Sequence, residues 1–212
     1  MVHMVEGVVS APVIAGCTAL AAAGVGYGLT KLKADDMPKA AVVGAAFFVA
    51  SLIHVPVGPS SAHLLANGLM GLLLGWSALP AMAVALLLQA AFFGFGGVTT
   101  LGVNLVLIGL PAIIVHHLFR DLVTRGRSAW AAGFACGALA IALSALGAAG
   151  ALAASGAAFV PAAKLVVLAH LPVMAVEGVV TAAAVSLLAR VKPDALWTRP
   201  APQPVPAVGS NA

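Results

Sequence analysis

The sequence has few charged residues and few aromatic residues. Of its 212 residues, 8% are charged and 6% are aromatic, whereas 62% are hydrophobic, and the mean hydropathy is +1.12. A soluble globular domain carries about 25% charged residues, so this composition cannot supply a water-facing surface. The scarcity of charge excludes a soluble enzyme, a coiled coil and a disordered chain. It predicts an integral membrane protein.

The sequence has only two cysteines, and it lacks the short motifs of common soluble enzymes. Cys17 and Cys136 lie in apolar stretches without metal-ligand spacing. There is no His-Glu-x-x-His motif, no P-loop and no nucleophile elbow. The basic residues lie at the ends of apolar runs, where they report topology, so no nucleic-acid partner is expected. We predict that the chain is not an enzyme, and ATP-driven transport would need an ATPase partner.

Apolar stretches that approach the roughly 20 residues needed to cross a bilayer are separated by Pro, Gly and charged residues. We predict an all-α bundle of seven transmembrane helices within residues 1–192, followed by a disordered, Pro-rich tail at 193–212. The predicted spans are Ala11–Thr30, Ala40–Val55, Leu64–Leu79, Ala81–Phe95, Val103–Leu118, Ala129–Leu152 and Ala163–Ala189. A signal peptide is the alternative for residues 1–30, but the first seven residues carry only Glu6 as a formal charge.

The basic residues predict the orientation of this bundle. With seven spans, nine of the ten Lys and Arg residues fall on one side, and only Lys164 falls on the other. Cytoplasmic loops carry the excess of Lys and Arg. We therefore expect the N-terminus outside, and the C-terminus with its tail in the cytoplasm.

Polar side chains gather at the predicted outer level of the bundle. They come from four separate parts of the chain: His3 and Glu6; His54, Ser60, Ser61 and His63; Thr99, Thr100 and Asn104; His170 and Glu177. Polar groups in lipid need a partner or a purpose, so this group marks the candidate site. For His54, His170 and the pair His116 and His117 at the opposite end, a hydrogen-bonded structural role is the simpler interpretation.

His3 is the most unusual of these residues because it lies close to the start of the chain. An α-amine, a backbone amide nitrogen and an imidazole can chelate one metal ion together, and imidazole suits Ni²⁺ and Co²⁺. If His is the second residue, these nitrogens fill three corners of a plane, and His63 is the candidate for the fourth. Removal of Met1 would make Val2 the terminal amine. Alternatively Val2 is an insertion, or an unprocessed Met1-Val2-His3 supplies four nitrogens alone.

Four motifs resemble those of a known family, CbiM/NikM. The opening MVHMVEG at 1–7 resembles the family's Met-His-Ile-x-(Glu/Asp)-Gly, with one inserted residue at Val2. GPSSAHL at 58–64 is similar to its second ligand loop, and GGVTTLGVN at 96–104 to its Gly-Gly-x-Thr-x-Leu-Gly-x-Asn signature. PVMAVEG at 172–178 is similar to its last-helix motif. The matches run from residue 3 to about residue 178.

The resemblance implies the substrate-specific membrane component of an energy-coupling factor (ECF) transporter for cobalt or nickel, in a bacterial inner membrane. It implies seven helices, an extracellular N-terminus threaded into the protein, and Co²⁺ or Ni²⁺ bound as substrate, with no permanent cofactor. The implied metal ligands are the amine of Met1 or Val2, the amide and imidazole of His3, and His63. The residues expected to hold these ligands in place are Glu6, Ser60, Ser61, Thr99, Thr100, Asn104 and Glu177.

The same resemblance implies three partners: a transmembrane coupling component, a cytoplasmic ATPase dimer and a small auxiliary membrane subunit of the CbiN/NikN type. We favour cobalt uptake for cobalamin biosynthesis, and a nickel-specific subunit that feeds nickel enzymes is the alternative. A vitamin-binding ECF subunit would need an aromatic pocket, and the outer-side aromatic residues are few. A membrane assembly protein without a substrate would have no reason to gather His3, His63, Asn104 and Glu177 at one level.

Overall fold

The computed structural model describes residues 3–57, 60–124 and 129–196, and it describes side chains except those of residues 54–63 and Thr124. The α-helices of this part are α1 (Ala11–Lys31), α2 (Met37–Ala50), α3 (Asn67–Leu74), α4 (Ala78–Phe93), α5 (Leu101–Thr124), α6 (Ala129–Ser155) and α7 (Val160–Val191). Short 3-10 turns lie at Ala34–Asp36, Gly75–Ser77, Ala157–Phe159 and Pro193–Ala195.

Five stretches of the described residues are long and apolar enough to cross a membrane. They are Ala11–Lys31, Asn67–Phe93, Leu101–Val123, Ala129–Ser155 and Ala157–Val191. The helix α2 has 14 residues, fewer than the roughly 20 that span the hydrocarbon. The fold is therefore that of a multi-pass membrane protein, as predicted, while the number of seven crossings and the orientation of the termini stay predictions.

The apolar stretch Asn67–Phe93 is a helical hairpin rather than one straight helix. Close contacts to α5 show this: Gly71 lies against Ala112, Gly75 against His116 and Leu79 against Gly109. From Gly71 to Gly75 the contacted residue of α5 advances from Ala112 to His116, so α3 runs in the same direction as α5. Leu79, at the start of α4, contacts Gly109 instead, so the chain has turned back and α4 runs in the opposite direction. Gly75 makes the reversal possible because its φ of 55° lies in the left-handed region that a residue with a Cβ rarely adopts.

A short β-hairpin joins α2 to α3 and was not part of the predicted all-α bundle. Strand β1 (His54–Val57) pairs antiparallel with β2 (Ser60–His63), so the backbone of His54 lies opposite that of His63. The second predicted span extends to Val55, but α2 ends at Ala50. Proline is disfavoured in a helix interior because it has no N–H and its ring clashes with the preceding turn, although the long helices α5 and α7 contain Pro111 and Pro172. Pro56 lies in a strand beyond the end of α2.

Small residues let the helices of the bundle approach closely. A Cβ added at Gly137 of α6 would lie 2.6 Å from the carbonyl oxygen of Glu177 in α7, and one at Gly71 would overlap the backbone of Ala112. Such contacts are typical of helix pairs in membranes, where close packing replaces the hydrophobic effect as the driving force. The many Ala and Gly residues of the sequence thus have a direct structural use.

The two ends of the bundle differ in the residues that they hold. The N-terminal end contains the segment 3–10 and the starts of α5 and α7. The opposite end, called the basic end below, brings together Lys31, Lys39, Arg120 and the turn Pro193–Ala195. The Nζ atom of Lys39 donates a hydrogen bond of 2.8 Å to the carbonyl oxygen of Ala195. The turn Pro193–Ala195 thus belongs to the stretch 193–212 that was predicted as a disordered tail, and the rest of that stretch, 197–212, lies outside the described residues.

Candidate metal-binding site

The N-terminal segment is fastened to the start of α5 through the backbone of Met4. The N–H of Met4 donates to Oδ1 of Asn104 (2.6 Å), and Nδ2 of Asn104 donates to the carbonyl oxygen of Met4 (3.1 Å). The hydroxyl of Thr100 donates to the same carbonyl oxygen (2.9 Å). Met4, Thr100 and Asn104 are all buried, and buried backbone groups need such partners. One carboxamide thus fixes the position of residue 4 along α5.

His3 is held inside the protein by this fastening of its neighbour. Its side chain is 5% exposed, and both imidazole nitrogens are buried. The centre of its ring lies 6.3 Å from that of Phe95, which in turn lies 5.6 Å from the ring of Phe93. The structure therefore places His3 in the interior rather than on a free terminus. Its role as a metal ligand stays a prediction.

Glu6 fastens the same segment at a second point. Its Oε1 atom accepts hydrogen bonds from the backbone N–H (3.1 Å) and the hydroxyl (2.9 Å) of Thr99. These two hydrogen bonds stabilise the carboxylate and lower the pKa of Glu6 below its ordinary value of 4.5. Glu6 is exposed, yet it is attached to the loop before α5 rather than being a merely solvated acid.

The glycine pair before α5 provides room for the N-terminal segment. Gly97 has φ of 128°, and a Cβ there would lie 2.5 Å from Oε1 of Glu6. Gly96 has φ of 80°, and a Cβ there would overlap the amide of Asn104 and lie 3.4 Å from the carbonyl oxygen of Met4. Only glycine combines these backbone angles with this close approach.

Glu177 connects α7 to the start of α3. It is fully buried, and its carboxyl oxygens accept hydrogen bonds from the backbone N–H groups of Leu65 and Ala66, the latter at 3.0 and 3.1 Å. The first N–H groups of a helix lack partners within the helix and carry the positive end of its dipole. Glu177 therefore fixes the backbone that directly follows the β-hairpin and its last residue, His63.

Several predicted site residues cannot be placed at the same level of detail. Met1 and Val2 lie outside the described residues, and only the backbone is described for Ser60, Ser61 and His63. Within the described ranges, no three side chains of His, Cys, Asp or Glu form a cluster that could hold a metal ion. The described side chains thus do not make up a metal site without the start of the chain or His63.

Two polar residues that support this end of the bundle were absent from the predicted set. Asn67, fully buried at the start of α3, donates to the carbonyl oxygen of Ile108 (3.0 Å) and to the hydroxyl of Ser144 (3.1 Å). The hydroxyl of Ser155 accepts from the N–H of Ser10 (3.0 Å). The signal that could have identified Asn67 is a polar side chain inside an apolar stretch.

The other histidines were expected to have structural roles, and this stays a prediction. Nδ1 of His170 lies 2.6 Å from the carbonyl oxygen of Val166, one turn earlier in α7. His116 lies at the basic end, where it contacts Gly75 and lines a cavity with Arg120.

The apolar helices and the buried polar contacts that fasten the N-terminal segment define a multi-pass membrane protein with a candidate site at one end of its bundle. Residues 3–195 match the CbiM family, which is described as the cobalt uptake substrate-specific transmembrane region. The match covers most of the chain, so the chain belongs to the CbiM family. The resemblance drawn from the sequence motifs is confirmed.

Individual proteins that are similar to this chain are named as metal transport proteins. A metal transport protein of Haemophilus influenzae is 50% identical over 119 residues, which are 56% of this chain and 58% of that protein. A fused nickel transport protein NikMN of Archaeoglobus fulgidus is 30% identical over 207 residues, 94% of this chain and 70% of that protein. This chain therefore spans somewhat more than half of the Haemophilus relative.

A solved structure shares the fold. The crystal structure of a truncated transition metal transporter superposes with a TM-score of 0.76 at 25% identity, and the match covers 88% of this chain and 98% of that one.

Proposed function

We propose that this chain is the substrate-binding membrane subunit of an ECF-type importer that takes up Co²⁺ or Ni²⁺. The observation that carries the proposal is the double hydrogen bond between Asn104 and the backbone of Met4, which buries His3 at the N-terminal end of the bundle. A chain start is ordinarily poorly ordered unless it is tied down. Here the hydrogen bonds between Met4 and Asn104 hold the imidazole of His3 and the adjoining amide nitrogen inside the protein.

In the proposed site, the metal ion is bound by nitrogen atoms from the start of the chain and from the loop before α3. The ligands are the terminal amine of Met1 or Val2, the amide and imidazole of His3, and the imidazole of His63. Glu6, Thr99, Thr100 and Asn104 hold the N-terminal segment, and Ser60, Ser61 and Glu177 support the loop that carries His63. Such supporting residues commonly change metal affinity by about 10- to 100-fold. Because the amine and the amide must lose protons, binding should release protons and weaken at low pH.

We propose cobalt as the substrate, with nickel as the alternative. The family description names cobalt, whereas the Archaeoglobus relative is named for nickel. Nitrogen ligands bind Ni²⁺ more tightly than Co²⁺ in general, so selection would depend on the geometry of the site. Uptake of cobalt would feed cobalamin biosynthesis, and uptake of nickel would feed nickel enzymes.

The proposed importer needs other subunits in a bacterial inner membrane. The name of the fused Archaeoglobus relative supports a small membrane partner of the NikN type for this chain. A transmembrane coupling component and a cytoplasmic ATPase dimer would supply the energy, and both come from the family resemblance rather than from the geometry.

The test is uptake of labelled Co²⁺ and Ni²⁺ by cells that contain the complete transporter. A tag ahead of Met1 and His3→Ala should each abolish saturable uptake, and His63→Ala should do the same while the protein still inserts. A tag after Ala212 and His117→Ala, an exposed histidine at the basic end, should leave uptake unchanged. Full uptake by a protein whose extended start is shown by mass spectrometry to be unprocessed would contradict the proposal. Normal uptake by His63→Ala alone would point to a Met1-Val2-His3 chelate or to His54 as another ligand.

A further inference from the structure

A second candidate site lies at the basic end of the bundle, in a cavity of about 270 Å³. Its walls are the end of α1, the start of α2, the reversal between α3 and α4, the last turns of α5, and the turn Pro193–Ala195, called the C-terminal turn below. Lys31, Lys39 and Arg120 contribute three cations. Asp36 is the one carboxylate among the described residues that line the cavity. With His116 neutral, three positive charges against one negative charge leave an excess of two positive charges.

The positions of two of these cations are fixed by neutral groups. Nζ of Lys31 lies 5.0 Å from the centre of the Tyr27 ring, and Nζ of Lys39 donates to the carbonyl oxygen of Ala195 at 2.8 Å. A ring face and a carbonyl oxygen orient an ammonium group without cancelling its charge. Asp36 interacts electrostatically with Lys39, so the positive charge in excess of this carboxylate is held in place and remains available to an anion.

The cavity also has an apolar wall next to its cations. Leu32, Leu196 and the leucines at 72–74 line it together with Trp76. The rings of Trp76 and Tyr27 form a T-shaped pair with 4.7 Å between centres, and such aromatic residues are enriched at the level of lipid headgroups. A cationic wall and an apolar wall side by side suit a molecule with a phosphate at one end and apolar chains at the other.

We propose that this cavity binds a phosphate-bearing anion, supplied either by the headgroup of an anionic phospholipid or by free phosphate. Basic pockets between transmembrane helices are known binding sites for anionic headgroups, and the guanidinium of Arg120 can donate two parallel hydrogen bonds to phosphate oxygens. The bound anion bridges α1, α2, α5 and the C-terminal turn. This site lies 16 residues beyond Asn104 along α5, about 24 Å at 1.5 Å per residue, so it is separate from the proposed metal site.

The experiment uses the full chain in phosphatidylcholine nanodiscs with and without added phosphatidylglycerol. Native mass spectrometry measures the lipid that stays bound to the released protein. We expect wild type to retain phosphatidylglycerol in preference to phosphatidylcholine. Lys31→Gln, Lys39→Gln and Arg120→Gln should each reduce this retention about fivefold. Lys33→Gln is the matched control, because Lys33 is an exposed cation two residues after Lys31 that does not line the cavity.

Addition of inorganic phosphate distinguishes the two sources of the anion. If phosphate does not displace the retained phosphatidylglycerol, the bound anion is the lipid headgroup. If phosphate displaces it, the bound anion is free phosphate. Equal retention of the two lipids together with no binding of phosphate would overturn the proposal. An equal loss in Lys33→Gln and Arg120→Gln would also overturn it, because surface charge in general would then be sufficient. Arg120 is exposed, so its variant remains informative if Lys39→Gln folds poorly.

Discussion

The two ends of the bundle differ in the burial and the partners of their polar side chains. At the N-terminal end, the side chains of Asn104 and Glu177 are buried and engage backbone N–H and carbonyl groups of other segments. At the basic end, Lys31, Lys39 and Arg120 surround an open cavity and are only partly buried or exposed. One end uses directional hydrogen bonds to hold the chain, and the other presents positive charge.

This difference corresponds to two kinds of binding. A hydrogen bond depends steeply on angle and distance, so the contacts of Asn104 and Glu177 fix backbone positions within a narrow range. A site for one small metal ion needs such precision, because its ligands must meet at a common point. An anion in an open cationic cavity is held by longer-range attraction. The basic end can therefore be looser without losing its proposed function.

The largest effect on stability is expected for Glu177→Leu. This change leaves the buried N–H groups of Leu65 and Ala66 without an acceptor, and each unsatisfied group costs about 1–3 kcal/mol. We expect a loss of about 3–5 kcal/mol in the free energy of unfolding, measured by titration with sodium dodecyl sulfate in micelles. Glu177→Gln retains an acceptor oxygen and should lose only about 1–2 kcal/mol. Equal losses in both variants would show that hydrogen bonding is not what Glu177 contributes.

The next largest effect is expected for Asn104→Ala. Both backbone groups of Met4 lose their carboxamide partner, and only Thr100 remains as a donor to the Met4 carbonyl oxygen. We expect the affinity for Co²⁺ to fall about 10- to 100-fold, measured by isothermal titration calorimetry on the purified chain. Asn104→Asp retains an acceptor for the N–H of Met4 and should be intermediate. Unchanged affinity in Asn104→Ala would show that metal binding does not depend on the hydrogen bonds between Asn104 and Met4.

The sequence predicted more of the chemistry than of the geometry. Asn104, Thr100 and Glu6 could be identified in advance, because a polar side chain in an apolar chain is costly and therefore has a purpose. The family resemblance implied that they hold the N-terminal ligands in place, but the atoms in contact were not predictable from the chain itself, because the contact between Met4 and Asn104 joins residues 100 positions apart. No local pattern encodes such a contact, and it exists only once α5 and the N-terminal segment are packed together.

The fold shows the same division between local and long-range information. The long helices α5, α6 and α7 follow from apolar length alone. The ends of α2 and α3 do not, because composition cannot distinguish an apolar helix from an apolar strand or turn. Residues 54 and 55 were therefore predicted as the end of a span but lie in a strand. At the reversal, Gly75 lies close to the side chain of His116, and no local pattern in the sequence indicates a contact between residues this far apart.

A smaller effect is expected for the contact between Glu6 and Thr99. Because its hydrogen bonds lower the pKa of Glu6 in the folded protein, the contact contributes fully above the ordinary value of 4.5 and is lost as the pH falls through the lowered value. Protection of residues 3–10 against hydrogen exchange, corrected for the intrinsic pH dependence of exchange, should therefore decrease in the metal-free protein as the pH falls below 4.5 and through the lowered pKa. Glu6→Gln should remove this pH dependence, since the side chain no longer titrates. The same decrease in Glu6→Gln would assign the effect to another group.

The smallest effect is expected at the basic end, for Arg120→Gln. Arg120 is exposed and lines a cavity whose other cations are oriented by Tyr27 and Ala195 rather than by Arg120 itself. Exposed charges without fixed partners contribute little to stability, so in a neutral detergent the free energy of unfolding should change by less than about 0.5 kcal/mol. Sodium dodecyl sulfate is anionic and would occupy the cavity, so the measurement for this variant is thermal unfolding in a maltoside detergent, beside Glu177→Leu and Lys33→Gln. A loss comparable to that of Glu177→Leu would remove the distinction between the two ends, because the cations would then hold the bundle together as the hydrogen bonds do.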